Sequence, residues 1–194
     1  MRKGANNGFK GVSQRMEKKL QVFERMRSGA KGATFVVCAL IGNTVFAADL
    51  AQPTGDPVLT VSGAISVTNV GETAQYDLEM LRAMDPQTIE TTTIWTEGVQ
   101  SFTGVSLASL LESLGVEGGT IRATAINDYA VEFPFDEISD GAAIIAFENN
   151  GEEMSVRDKG PLWIVFPYDS SPFYRTEVVY SRSIWQMDRL EVIE

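Results

Sequence analysis

Apolar and polar residues alternate along VLTVSGAIS, residues 58–66, as they do in a half-buried strand whose successive side chains point to opposite faces. Asp77 then stands where an N-cap belongs, before a short helix through Met84 that Asp85-Pro86 ends. The clearest helical pattern is SLASLLESLG: Leu107, Leu110, Leu111 and Leu114 fall on one face, with Ser106 as N-cap and Gly115 just past the C-terminus. TIRATAIN and YAVEFPF both alternate with period two around an Asn127-Asp128 corner, which predicts neighbouring strands, and Asp136 to Asp140 has the length of one helical turn. AAIIAFE is continuously apolar up to Asn149-Asn150-Gly151, a hairpin signal, and PLWIVFP is a second such run. Both read as the buried centre of a sheet. Many short strands with few short helices predict an α+β domain with a mixed, mainly antiparallel sheet.

The first 47 residues differ from the rest. They carry nine Lys and Arg against two Asp and Glu and close on an apolar run from Ala33 to Phe46. Gly42 and Asn43 interrupt that run, and Val45-Phe46-Ala47 supplies small residues before Ala48, so the segment reads as an export signal cleaved after Ala47. Met26 would open a leader of more ordinary length; the alternative is an uncleaved membrane anchor with a basic cytoplasmic tail. Residues 48–56, with Pro53 and Gly55, read as a flexible lead-in, and residues 57–194 as one domain. The expected location is periplasmic or secreted, with no membrane span after cleavage.

Without that segment the chain keeps 7 basic and 24 acidic side chains, a formal net charge of −17. Nucleic acid is excluded as a partner, because phosphate binding needs a cationic face. Cys38, the single cysteine, lies inside the export segment, and the chain has no histidine. Structural zinc, haem held by His or Cys, thiolate catalysis and a Ser-His-Asp triad all require side chains that the domain lacks.

Several motifs occur in a familiar order: FTGVSLASLLESLGV from Phe102, NDYAVEFPFDE from Asn127, Asn150-Gly151, Gly160-Pro161-Leu162, Pro167 and Arg182. Together they resemble the sulfite-oxidase-type molybdopterin-binding domain over Val58 to Val192. The resemblance implies that fold, with Arg182 opening a strand near the end. In catalytic members a cysteine thiolate binds molybdenum shortly before the tryptophan-glycine segment. Here the corresponding stretch, Thr91–Glu97, reads TTTIWTE, Phe102 replaces the tryptophan, and Trp163 stands where the family has an arginine. The cleft of such a fold would comprise Trp95, Thr96 and Glu97, Asn127, Asp128 and Tyr129, Trp163, and Arg182 as the cation.

No catalytic residue or metal ligand is expected, and no cofactor is expected from the residues themselves; only the resemblance implies molybdopterin. Arg175 and Arg182 have two readings, a joint grip on an anion or separate pairing with nearby carboxylates. Trp163 reads as core, Trp95 equally as core or pocket wall, and Glu132, with Asp128, Asp136 and Glu137, as solvated surface rather than an acid–base pair. The leading expectation is an exported domain that binds a small anionic ligand, or an envelope protein partner, without redox chemistry. The alternative is a molybdopterin-dependent oxidoreductase with an atypical cysteine-free site.

Overall fold

The computed structural model describes residues 50–138 and 141–194. The expected export segment lies outside the described residues, as does Asp140 at the end of the expected helical turn; the turn itself forms as a 3-10 helix at Phe135–Glu137. Among the described residues no helix is long and apolar enough to cross a membrane.

Among the described residues ten strands and three short α-helices make the α+β fold: β1 Leu59–Gly63, β2 Ala74–Tyr76, α1 Leu78–Arg82, β3 Gln87–Thr92, β4 Val99–Ser106, α2 Leu107–Ser113, β5 Thr120–Ala125, β6 Ala130–Pro134, β7 Ile144–Asn149, β8 Glu152–Glu153, β9 Leu162–Val165, α3 Glu177–Arg182 and β10 Trp185–Ile193. The sheet runs β2-β1-β10-β9-β7-β4-β3, with β5 also on β10, β6 on β5 and β8 on β7. β1 pairs with β10 in parallel, and the remaining strand pairs are antiparallel. Strand β10 is the hub, bonded to β1, β5 and β9.

The continuous apolar runs behave as expected. Leu162–Val165 is buried throughout, and Ile144 to Phe147 likewise, because these neighbours are covered on both faces. The leucine face of α2 is buried at Leu107, Leu110, Leu111 and Leu114. Ser106 Oγ accepts the Ser109 N–H at 3.2 Å as the N-cap, and Asp77 Oδ1 accepts the Met80 N–H at 2.8 Å for α1. Thr54 and Gly55, in the lead-in, donate their N–H groups to Asp77 Oδ2 at 2.7 and 2.8 Å. These contacts hold the Asp77 carboxyl below the usual carboxylate range, the Gly55 and Met80 N–H groups most strongly.

Two glycines of the recurring motifs have steric reasons. A Cβ on Gly104 would lie 2.2 Å from the Ile145 carbonyl oxygen, where β4 crosses β7 beside a register shift. A Cβ on Gly160 would lie 1.8 Å from the Met154 carbonyl oxygen, so only glycine fits before Pro161. Residues 177–182 correct the expectation for Arg182: EVVYSR is a helix, and Arg182 closes it instead of opening a strand. Thr176 Oγ1 accepts the Val179 N–H at 3.3 Å, and this cap outweighs the β-propensity of Val178 and Val179.

Candidate functional site: an aromatic pocket at the start of the last strand

Strand β10 begins irregularly. Trp185 faces Trp163 and Met187 faces Leu162, leaving Gln186 as an extra residue with φ of 53°. Three contacts hold this bulge: the Gln186 N–H donates to Lys159 O at 2.9 Å, its Nε2 donates to Val156 O at 2.6 Å, and its carbonyl accepts the Ile126 N–H at 2.9 Å.

Beside the bulge lies a pocket of about 310 Å³. Trp95 reaches it from the β3–β4 connection, and Asn127 and Tyr129 from the β5–β6 corner. The end of α3 and the residues after it supply Tyr180, Ser181, Ser183, Ile184, Trp185 and Gln186. Every lining side chain is aromatic, aliphatic or neutral polar.

Trp95 is the centre of an aromatic cluster. Its ring centroid lies 5.6 Å from Trp185, 5.7 Å from Tyr180, 5.8 Å from Trp163 and 6.2 Å from Tyr168, with interplanar angles of 67–84°. Those edge-to-face contacts place the positive rim of one ring on the negative face of the next. Behind the pocket Trp163 is fully buried, and its Nε1–H donates to Ser183 O at 3.1 Å. The buried Tyr168 hydroxyl donates to Ser183 Oγ at 2.7 Å, and Ser183 Oγ donates to Val179 O at 3.0 Å. Burial pushes the Tyr168 phenol up to about 12, with the Ser183 contact acting the other way, so it stays a neutral donor. Lys159 Nζ stands 5.7 Å from the ring centroids of both Trp163 and Trp185.

Of the residues expected in the cleft, Trp95, Asn127 and Tyr129 line the pocket, and Trp163 packs against Trp95 from behind. The others are elsewhere. Thr96 shares a hydroxyl hydrogen bond with Thr93 at 2.8 Å, and exposed Glu97 accepts from Gln100 Nε2 through its carbonyl at 2.7 Å. Asp128 turns outward to Arg189 at 2.9 Å. Arg182 pairs with Glu137, Arg175 with Asp169 at 2.5 Å and Glu132 with Arg122 at 2.7 Å, the separate pairing of the two readings. Sequence reasoning missed Ala125, Tyr180, Ser181, Ser183, Ile184 and Gln186, and left Trp185 out of the expected cleft. The only available signal was an aromatic and an amide, Trp185-Gln186, at the edge of an alternating run.

Residues 64–170 match the sequence family described as the oxidoreductase molybdopterin binding domain. A search of curated proteins matched none. Among solved structures, the chain is similar to the sulfane dehydrogenase SoxCD from Paracoccus pantotrophus, at 18% identity and a TM-score of 0.49. That alignment covers 69% of this chain and 37% of the SoxCD chain, so the chain spans little more than a third of that protein's length. Because the family match extends from the end of β1 into the loop that follows β9, over more than half of the sequence, the chain belongs to the oxidoreductase molybdopterin binding domain family.

Proposed function

We propose that this protein is an exported member of the family that binds a small ligand in the Trp95–Trp185 pocket without molybdenum redox chemistry. The observation that carries this reading is the chemistry of the walls. The walls are aromatic rings and neutral hydrogen-bonding groups, whereas a molybdenum centre of the family's kind would need a soft thiolate donor and cations for a phosphate. The donor set of the pocket does not fit a thiolate-held molybdenum, since no lining residue is a cysteine or a histidine. Among the described residues no group of three or more His, Cys, Asp or Glu side chains is arranged to hold a metal. Arg182, the cation expected to grip an anion, is engaged by Glu137 and does not line the pocket. Export is supported by the order of basic, apolar and small residues in segment 1–47.

The test is to purify the protein from the envelope of its native cell, quantify molybdenum and released pterin, and look for a bound small molecule by native mass spectrometry. A metal-free protein carrying an adduct that Trp185→Ala loses is the expected result. Molybdenum near one atom per chain, released with a pterin, would overturn this reading. The family match favours that second reading, a molybdopterin-dependent oxidoreductase with a cysteine-free site.

A further inference from the structure

We infer that the pocket selects a compact organic cation, of the quaternary or tertiary ammonium class. This rests on the proposal that the pocket is the ligand site, and deepens it by naming the ligand's chemistry.

Three observations converge. Trp95 stands at 67° to Trp185 and 84° to Tyr180, with centroids 5.6 and 5.7 Å apart, and all three rings line the cavity. Walls set nearly at right angles cannot all lie flat on a planar ligand. Trp95 is parallel to neither neighbour, so the corner between these rings suits a rounded group better than a flat one. A trimethylammonium head is small against a cavity of about 310 Å³ and leaves room for a short polar tail near Asn127 or Gln186.

Charge supplies the second argument. No Lys, Arg, Asp or Glu lines the pocket, so an anion finds no cationic partner there, while residues 48–194 carry a net charge of −17 and favour the approach of cations. Nor is a cation held by a carboxylate, which leaves the ring quadrupoles as its attraction. The third observation is the chain's own ammonium: Lys159 Nζ, which does not line the pocket, lies 5.7 Å from the ring centroids of Trp163 and Trp185, so indoles of this cluster already meet a cation.

The experiment titrates the full chain with choline chloride and, separately, with 3,3-dimethyl-1-butanol, the uncharged carbon isostere of choline. Tryptophan fluorescence and calorimetry follow both at matched ionic strength. Choline should bind about tenfold tighter than the isostere, the scale of a desolvated cation–π contact. Trp95→Leu should lose about tenfold in choline affinity and Tyr180→Phe, which keeps the ring, much less, with thermal melts verifying that each variant is folded. If Trp95→Leu does not fold, the two-probe comparison on the unmodified protein still decides. Equal affinity for both probes, tighter binding of the isostere, or choline binding indifferent to Trp95→Leu overturns the ammonium inference but leaves a ligand pocket in place. Binding of neither probe also overturns it. The broader proposal fails separately, on molybdenum and pterin in the native protein.

Discussion

Asp169 accepts both the backbone N–H of Thr92, at 2.6 Å, and the Thr92 hydroxyl, at 2.8 Å, across 77 positions of sequence. This clamp ties the loop after β9 to the end of β3, three residues before Trp95, and thereby sets where the aromatic hub stands. The same contacts, with Thr92 N–H foremost and Arg175 adding to them, hold the Asp169 carboxyl below the usual carboxylate range. A carboxylate with a lowered folded pKa stabilises above its unfolded value, and that contribution disappears as pH falls through the folded one. Acidification below about pH 4 should therefore loosen the Trp95 loop. Asp169→Ala should produce the same rise in acrylamide quenching of tryptophan fluorescence at neutral pH; unchanged quenching would show that the clamp does not position Trp95.

The leucine face of α2 should dominate its contribution to stability. Leu110→Ala and Leu111→Ala should each cost about 2–5 kcal/mol in denaturant melts, since both side chains are fully buried, while exposed Ser109→Ala should change little. Equal midpoints would contradict the packing of this face.

Gly104→Ala is expected to destabilise the domain by about 1–3 kcal/mol, because the added methyl meets the Ile145 carbonyl on a rigid central strand. Gly118→Ala, with nothing near the added atom, serves as the control. A thermal melt of each variant makes the comparison.

Arg182 and Glu137 form a partly exposed pair, with side-chain exposures of 11% and 47%. A double-mutant cycle with Arg182→Ala and Glu137→Ala should return a coupling of about 1 kcal/mol or less. Loss of ligand affinity in Arg182→Ala without loss in Glu137→Ala would instead return Arg182 to the role of ligand cation.

N-terminal sequencing of protein recovered outside the cytoplasm should begin at Ala48, as the order of basic, apolar and small residues in segment 1–47 requires. An intact chain from Met1 in the soluble cytoplasm would remove the export proposal.

What could be read along the chain was local or strongly periodic. The Asp77 and Ser106 caps, the leucines of α2, the β5–β6 pair around Asn127-Asp128 and the buried runs of β7 and β9 all announce themselves within a few residues. Strands β3 and β4 did not. In β3 only Thr91 is fully buried, and Ile89 is half-buried, so an edge strand with two wetted faces carries no alternating signal.

The pocket belongs to the second kind of information. Trp95 and Trp185 are 90 positions apart, yet their rings meet because β10 pairs with β9 and Asp169 holds Thr92. Residue types by themselves determined the negative charge of the domain, the absence of histidine and the caps and faces of its helices. Whether Arg182 met an anion or a glutamate, and which tryptophans walled a cavity, was decided by tertiary structure: ion pairing and ring packing depend on distances in space, and a helix at 177–182 where β-branched residues favoured a strand changed those distances for every residue that follows.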